Sequence, residues 1–306
     1  MEKILVLGSN GFLGKNILKI LGNEENIISI PGKSFLDLKN FDNLNEFVNG
    51  KNIKSVINCA AFVGGISFGY KYQADLLTKN LDMGNNIYKV AKENNISRII
   101  NPISNCAYPG DIEVYKEDKF WDGKPHDSVL YYGLAKRIFV ALAESYYTQY
   151  GVSSVSVILS NMYGPHDHFE EERSHALGAL IRKIHNAKIK KEDSVEVWGT
   201  GEQKREWLNV NDGANALIKS LDIPEGNYVF NVGINESISI KDLAEIIKKY
   251  LKYKGELIYN SSKPQGVENK QVDGTLGSKI LNWSPEVELE TGIKDTIEWY
   301  VKNYGK

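Results

Sequence analysis

Tyr132 and Lys136 are the first residues whose types and spacing could do chemistry. They are four residues apart, so a helix over residues 129–150 would place them on one face, about one turn from each other. A phenol beside an ammonium can donate a proton, and the positive charge favours the phenolate. We therefore expect the pKa of Tyr132 to fall well below its usual value of ~10. Such a pair also occurs by chance on surface helices, so the rest of the chain must show whether this pair is catalytic.

A glycine-rich turn near the start of the chain predicts a dinucleotide site. The turn follows an apolar run at residues 3–7, typical of a buried parallel strand, and has the spacing Gly-x-x-Gly-x-x-Gly. Glycines permit a close approach of the backbone, and the next helix can direct its N-terminus at a pyrophosphate. The alternative is an ordinary turn of a βαβ unit; a P-loop is disfavoured by Asn16, where Ser or Thr must bind Mg²⁺. The predicted cofactor-binding residues here are Gly8, Asn10, Gly11, Phe12, Leu13 and Gly14.

The end of the second predicted strand indicates which dinucleotide binds. A strand near residues 27–30 is followed by Pro31-Gly32-Lys33-Ser34. An acidic residue at this point would accept the ribose hydroxyls of NAD, whereas a cation would meet the 2′-phosphate of NADP. The first acidic residue after this strand is Asp37, and Lys33 lies closer to the strand's end. We therefore predict NADP(H) as the cofactor. The alternative is that Lys33 is a solvated lysine of the turn.

Strands alternate with helices throughout residues 1–160, which predicts an α/β fold with a doubly wound parallel sheet of the Rossmann type. Ala60 and Ala61 follow the third strand, where small residues let the backbone pass close to the cofactor. The further strands are expected near residues 55–58, 98–103 and 153–159, and long helices near residues 73–94 and 129–150.

After residue 160 the pattern predicts a smaller C-terminal α/β lobe, with the cleft between the lobes as the expected substrate site. A polar loop at 161–169 comes first, and Asn211 or Asp212 is expected to cap a helix. The cofactor domain is predicted at residues 1–162 and 205–234, and the substrate lobe at residues 163–204 and 235–306. The remaining helices are expected at 174–187, 240–251 and 290–304, and strands at 195–198, 205–210, 228–232 and 256–259.

Composition narrows the class of protein. The net charge is −2 and the pI is about 6.3, which gives no reason to expect nucleic acid or a membrane surface as a partner. No apolar run approaches the ~20 residues that cross a bilayer, and the start of the chain does not resemble a signal peptide. We expect a soluble, cytoplasmic protein. Metal binding is not expected, because His166 and His168 lack a third ligand, and these residues and His185 are interpreted as loop or surface histidines.

These motifs together resemble the extended short-chain dehydrogenase/reductase superfamily over essentially the whole chain. The closest likeness is to the GDP-L-fucose synthase family, the GDP-4-keto-6-deoxymannose epimerase/reductases. Ser104-Asn105-Cys106 replaces the Thr-Asp-Glu of nucleotide-sugar 4,6-dehydratases, and Lys33 argues against UDP-hexose 4-epimerases, which retain NAD. The segments that carry the likeness are residues 60–66, 104–109, 161–167, 174–175, 197–201 and 205–206.

The resemblance implies a role for each chemical residue. Tyr132 would donate a proton to the C4 oxygen of a sugar as hydride arrives from NADPH, while Lys136 holds the nicotinamide ribose. Ser104 would hydrogen-bond the same ketone oxygen. Cys106 and His175 match the acid/base pair that inverts C3 and C5 beside the ketone. The alternatives are that Cys106 is a small buried hydrophobic residue and that His175 only begins a helix.

The resemblance also implies a nucleotide-sugar pocket. Arg205 would bind the diphosphate, unless it is a surface arginine paired with Glu206. Trp198 and Asn161 would line the pocket, with Asn161 also near the cofactor. Lys183 stands where the family usually has an arginine. Residues 169–173 are unusually acidic, and residues 265–270 depart from the family's sequence. These three differences leave the identity of the sugar open between a hexose and a heptose.

Two activities and one non-catalytic role follow from these residues. The favoured function is NADPH-dependent reduction of a GDP-linked 4-keto-6-deoxy sugar, with C3/C5 epimerisation as in GDP-L-fucose synthase. A plain 4-ketoreductase is the alternative, and a non-catalytic NADP-binding sensor or scaffold is disfavoured because both Tyr132 and Lys136 are present. The resemblance further implies a homodimer formed through the helices at 73–94 and 129–150.

Overall fold

The computed structural model describes residues 2–171, 173–263 and 268–305. Its strands are β1 (Lys3–Leu7), β2 (Ile27–Ile30), β3 (Ile53–Asn58), β4 (Arg98–Ser104), β5 (Val114–Tyr115), β6 (Ser153–Leu159), β7 (Asn161–Tyr163), β8 (Ser194–Trp198), β9 (Lys204–Arg205), β10 (Trp207–Asn209), β11 (Asn227–Val232), β12 (Ile238–Ser239), β13 (Glu256–Asn260) and β14 (Asn269–Val272). Its helices are α1 (Phe12–Leu21), α2 (Phe41–Val48), α3 (Ile66–Lys71), α4 (Gln73–Glu93), α5 (Leu130–Tyr150), α6 (Ala176–Lys190), α7 (Val210–Lys219), α8 (Ile240–Leu251), α9 (Thr275–Leu281) and α10 (Leu289–Tyr304).

A six-stranded sheet organises the first lobe, and all of its pairings are parallel. Its strand order is β2-β1-β3-β4-β6-β11, so the chain moves outward in opposite directions from β1. Helices cover both faces: α1 and α7 pack on one, and α2, α4 and α5 on the other. Buried parallel strands need this double cover, which explains their continuous apolar sequences. The predicted Rossmann-type doubly wound fold is confirmed.

The second lobe has an apolar core of its own. Helices α6, α8 and α10 pack together against β8, which pairs in parallel with β13. Helix α9 and Trp283, in contrast, contribute to the core beside β11 in the first lobe. The predicted domain limits stay a prediction, and this packing places residues 275–283 with the sheet rather than with the lobe that surrounds them in sequence.

A small sheet in the order β12-β9-β14-β5 joins the two lobes. The strand β14 was not predicted from the sequence. It pairs in parallel with both β9 and β5, so main-chain hydrogen bonds hold it on each side. The segment at 265–270, which departs from the family, lies partly outside the described residues, which resume at 268.

Three local predictions are wrong. Residues 161–163, expected in a loop, form β7 and pair with β10. The strand expected at 205–210 is divided at Glu206 into β9 and β10. Helix α7 is capped by Asn209, whose side chain accepts the N–H of Asn211, while the carboxylate of Asp212 accepts backbone N–H groups of residues 286 and 287.

Candidate active site

The catalytic residues predicted from the sequence come together where β4 meets α5. Ser104 is the last residue of β4, and its Oγ accepts the N–H of Cys106 at 3.2 Å in the short 3₁₀ turn that follows. Helix α5 packs against this turn. The close approach requires Gly133, since a Cβ there would collide with the Cys106 carbonyl oxygen and lie 2.9 Å from Pro125. Tyr132 is thereby held beside Cys106.

Lys136 lies deep between α5 and β4. Its side chain is 4% exposed, and Nζ donates a hydrogen bond to the Pro102 carbonyl oxygen at 3.0 Å. Burial lowers its pKa to about 8, while the thiol of Cys59 has a weaker opposite effect. Lys136 therefore keeps its positive charge below about pH 8 and loses it above.

The expected effect of Lys136 on Tyr132 is not found. Burial raises the pKa of Tyr132 above its usual value, and the neighbouring Cys106 raises it further. The Lys136 Nζ lies 5.9 Å from the centre of the Tyr132 ring and is engaged by Pro102. The prediction of a lowered pKa is therefore wrong for this structure. Desolvation exceeds the attraction of the ammonium, so Tyr132 is a protonated donor at neutral pH.

Cys106 lies in a positively charged environment. The Nζ of Lys270 is 3.6 Å from its Sγ, and Arg205 is close enough to interact electrostatically with the same thiol. Cys106 is partly exposed, unlike the fully buried residue considered as its alternative.

His175 precedes α6, and its side chain makes no capping hydrogen bond. His175 is exposed as a residue, but the protein atoms around its ring desolvate the imidazole and lower its pKa to about 4, with smaller contributions from His168 and Lys270. The imidazole is therefore neutral at pH 7 and able to accept a proton. Because Lys270 influences both groups, Cys106 and His175 belong to one electrostatic neighbourhood.

The glycine-rich turn has the geometry that a dinucleotide requires. A Cβ on Gly14 would lie 2.7 Å from the Ser9 Cα, and one on Gly8 would lie 2.7 Å from the Ala60 nitrogen. The turn after β1 and the segment after β3 thus touch through their backbones. Helix α1 begins after Gly11 without a capping side chain, so its first N–H groups suit a pyrophosphate. This turn fits the predicted cofactor.

The other residues predicted to bind the cofactor lie along the same edge of the sheet. Lys33 is exposed in the turn after β2, next to the point where the Asn10 N–H donates to the Pro31 carbonyl. Asn161 begins β7, and its Nδ2 donates to the Glu206 carbonyl oxygen at 3.0 Å. That bond ties β7 to the segment that carries Arg205.

The predicted substrate residues divide into two groups. Lys183 and Trp198 meet in the second lobe, with Nζ 4.9 Å from the ring centre, and Lys183 also donates to the Glu196 carbonyl oxygen at 3.2 Å. Arg205 lies apart from them, near Cys106 and Tyr115. Its proposed surface pairing with Glu206 is not found, because that carboxylate is buried and accepts the N–H groups of Ile234 and Val272.

Sequence reasoning missed Lys270 and Tyr115 as site residues. Lys270 is separated from Cys106 by 164 residues, and no local spacing relates them. Tyr115 is buried, stacks on Tyr108 and interacts with both Cys106 and Arg205. Only the pairing of β14 with β5 and β9 brings these side chains together.

The histidines outside the site have structural contacts. His166 packs edge-on against Trp299, and His168 lies 3.4 Å from the Glu170 carboxylate. His185 was expected at the surface but is buried against Tyr300, which corrects that interpretation. In the part of the chain that the structure describes, no three metal-ligating side chains cluster, and no helix is long and apolar enough to cross a membrane.

Comparison with known proteins places the chain in a family. Residues 4–233 match the NAD dependent epimerase/dehydratase family. Probable GDP-L-fucose synthase 1 of Oryza sativa subsp. japonica is 34% identical over 98% of this chain and 92% of its own length. Two solved structures from Campylobacter jejuni, each 27% identical with 98% of both chains covered, superpose with TM-scores of 0.90 and 0.86. They are a GDP-6-OMe-4-keto-L-xylo-heptose reductase and a GDP-mannoheptose C4 reductase with NADP bound. This chain therefore belongs to the NAD-dependent epimerase/dehydratase family, within the extended short-chain dehydrogenases/reductases.

Proposed function

We propose that this enzyme uses NADPH to reduce the C4 ketone of a GDP-linked 4-keto sugar, after inverting C3 and C5 of that sugar. One observation carries the proposal: a tyrosine proton donor and a thiol beside two cations lie next to each other, at the edge of a sheet that also holds a dinucleotide turn. The fucose synthase and heptose reductases named above act on GDP-linked sugars, which supports the same substrate class.

The reduction depends on Tyr132, Ser104 and Lys136. NADPH supplies the hydride to C4 when it is bound. Tyr132 is protonated at neutral pH and donates its proton to the oxygen that gains negative charge at C4. Ser104 would hydrogen-bond the same oxygen, and the Lys136 ammonium would hold the nicotinamide ribose hydroxyls. Lys33, which is exposed in the turn after β2, would meet the 2′-phosphate, and this is the basis for a preference for NADPH over NADH.

The epimerisation depends on Cys106 and His175. A proton on C3 or C5 is acidic because the C4 carbonyl delocalises the electron pair left behind. One member of the pair removes the proton from one face, so the C–H bond breaks and an enolate forms at C4. The other member returns a proton to the opposite face. Arg205 lies near Cys106 and supplies a cation for the substrate's phosphates or enolate oxygen.

The sugar is a hexose or a heptose. Lys183 and Trp198 lie in the second lobe, where Trp198 is 42% exposed and offers a flat surface to a ligand. Lysine provides a point charge where an arginine fork would bind two oxygens, so the contact at this position is less restrictive. This feature supports a sugar that is larger than a 6-deoxyhexose.

A plain 4-ketoreductase is the second candidate. The two Campylobacter jejuni proteins described above are named as reductases, and both match 98% of this chain. In that case Tyr132, Ser104 and Lys136 would keep their roles, and Cys106 and His175 would serve only to bind the sugar.

The deciding experiment incubates the enzyme with GDP-linked 4-keto hexoses and heptoses in D₂O and follows NADPH absorbance together with deuterium at C3 and C5. Oxidation of NADPH with deuterium at both carbons is the expected result. Oxidation without deuterium would establish the plain reductase. No oxidation with any of these sugars would refute the proposed reaction, and faster oxidation of NADH than of NADPH would refute the role of Lys33.

We further propose that the enzyme is a cytoplasmic homodimer. Helices α4 and α5 pack side by side, and α5 carries Leu134, Ile138 and Leu142 at four-residue spacing, each incompletely buried. An apolar stripe on α5, beside α4, suits a four-helix interface with a second copy.

A further inference from the structure

We propose that Glu206 is a positioning residue for the diphosphate of the GDP-sugar, and that its carboxylate fixes the two strands around Arg205 against the sheet that holds the dinucleotide turn. The inference rests on the proposed function, because it takes Arg205 as the cation that meets the substrate's phosphates. Glu206 is fully buried, so it acts through Arg205 and not on the sugar nucleotide itself.

The carboxylate of Glu206 joins the two sheets of the molecule that meet at the site. One oxygen accepts the N–H of Ile234, just after β11, and the other accepts the N–H of Val272 in β14, both at 2.6 Å. Strand β11 is an edge of the six-stranded sheet, whereas β14 belongs to the small sheet between the lobes. The approach is close enough to require Gly233, since a Cβ there would collide with Glu206 Oε1. A single side chain thus ties the small sheet to the large one.

The main chain around Arg205 is attached to the same strand. The N–H of Lys204 donates to the Glu268 carbonyl oxygen at 2.8 Å, and the N–H of Glu206 donates to the Lys270 carbonyl oxygen at 3.1 Å. Arg205 lies between these two bonds, and its Nη1 donates to the Glu268 carbonyl oxygen at 3.4 Å. The position of the guanidinium therefore depends on β14, and β14 depends on the carboxylate of Glu206.

The two N–H groups need a carboxylate rather than an amide. Val272 is fully buried, and Ile234 packs against the apolar core of the first lobe. A buried N–H that loses its acceptor destabilises the arrangement that buries it, so the strand would shift. Glu206→Gln keeps the size of the side chain but offers one oxygen, and its NH₂ group would face one of the two donors.

Asp212 provides a matched control. It is 2% exposed, and its carboxylate accepts the N–H groups of Glu286 and Val287 at 3.1 and 3.2 Å. These bonds tie α7 to the loop before α10, and neither segment carries a residue assigned to the substrate. Asp212→Asn makes the same chemical change as Glu206→Gln, so it has a comparable effect on stability without moving Arg205.

The test is calorimetric titration with GDP at pH 8, above the pKa of about 7 to which burial raises the Glu206 carboxyl. The Kd for GDP should rise about tenfold or more in Glu206→Gln, because a shift of about 1 Å is enough to misplace a fixed contact. It should stay within about twofold of the wild type in Asp212→Asn. Should Glu206→Gln not fold, Glu206→Asp replaces it, since a carboxylate one methylene shorter cannot reach both donors.

A double variant distinguishes positioning from a general loss of stability. Arg205→Met should weaken GDP binding, and in that background Glu206→Gln should have less than about a threefold further effect, because both changes act on one contact. Equal GDP affinity of Glu206→Gln and the wild type would overturn the inference. Equal weakening in Asp212→Asn would do the same, as would a full tenfold effect of Glu206→Gln in the Arg205→Met background.

Hydrogen exchange without ligand separates this inference from the proposed function. Amide exchange of residues 268–273, measured by mass spectrometry, should be about tenfold or more faster in Glu206→Gln and unchanged in Asp212→Asn. If the wild type does not bind GDP, the proposed substrate class fails, and the exchange rates still decide whether Glu206 holds β14. Exchange at the wild-type rate in Glu206→Gln would show that it does not.

Discussion

Lys136 is buried beside the Pro102 carbonyl, and this environment determines the pH at which it is charged. Its pKa is lowered to about 8, so the ammonium is present below that pH and is lost above it. We expect kcat/KM for NADPH to fall as the pH rises through about 8, because this ratio reports the free enzyme. Steady-state assays from pH 6 to 10 test this. A ratio that stays constant to pH 10 would contradict the assigned charge.

Replacement of Tyr132 by Phe tests the proton donor. The loss of the hydroxyl should lower kcat for NADPH oxidation by ~10²–10⁴-fold, the usual contribution of a positioned acid. Deuterium exchange at C3 and C5 should continue, since it uses Cys106 and His175. Tyr131→Phe is the control, because the neighbouring phenol has no assigned role. Equal activity of the two variants would remove Tyr132 from the mechanism.

At the residue scale, the chemistry that is local in sequence could be predicted. Tyr132 and Lys136 are one helical turn apart, and Ser104 and Cys106 lie at the end of a single strand and in the turn after it, so the proximity within each pair depends on little else. The sign of the Tyr132 pKa shift could not be predicted, because it depends on how deeply α5 is buried. The contact of Cys106 with Lys270 could not be predicted either, since it depends on a strand pairing across 164 residues.

At the element scale, the turn between β1 and α1 allows a direct test of the cofactor site. A methyl group on Gly14 would come within 2.7 Å of the Ser9 Cα, which would force the turn away from the position that a pyrophosphate needs. Gly14→Ala should weaken NADPH binding by about tenfold or more. Titration of NADPH fluorescence measures this, with Lys19→Ala on the exposed side of α1 as the control. Unchanged affinity in Gly14→Ala would mean that the pyrophosphate binds elsewhere.

The elements that could be predicted are those whose own residues stabilise them. Strand β6 and helix α8 have strong apolar patterns, and their observed limits agree with the expected ones. Strand β14 reads Asn-Lys-Gln-Val and carries no comparable pattern, because its neighbours β5 and β9 supply the hydrogen bonds that define it. Helix α7 starts at Val210, before the predicted caps Asn211 and Asp212, because the side chain of Asn209 accepts the Asn211 N–H in the first turn.

At the scale of the whole molecule, buried carboxyl groups tie stability to pH. Asp167 is 4% exposed, and burial raises its pKa to about 7. A raised carboxyl pKa gives stability that is complete below the unfolded value, near 4, and is lost as the pH rises through about 7. The free energy of unfolding should therefore contain a term that decreases from pH 5 to pH 8.

Asp167→Asn isolates this term. The amide oxygen can still accept the His168 N–H, which donates to Asp167 at 2.7 Å, but the side chain cannot ionise. Between pH 5 and pH 8 the variant should gain about 2 kcal/mol relative to the wild type, by urea unfolding at each pH. The histidines and Glu206 titrate in both proteins and cancel in the difference. Parallel stability curves would show that Asp167 is not the group responsible.

The assembly is the last property that the fold makes testable. Ile138 lies on the outer side of α5 and is 38% exposed, between Leu134 and Leu142 on the same face. If α4 and α5 form the interface, Ile138→Glu places a charge in a desolvated apolar surface, and the dimer should weaken by about tenfold or more. Ile189→Glu is the matched control, because Ile189 is 56% exposed at the end of α6 in the other lobe. Sedimentation over a range of concentrations measures both variants. A wild-type chain that sediments as a monomer, or a dimer that only Ile189→Glu dissociates, would exclude this interface, because the two substitutions differ only in the face of the molecule they alter.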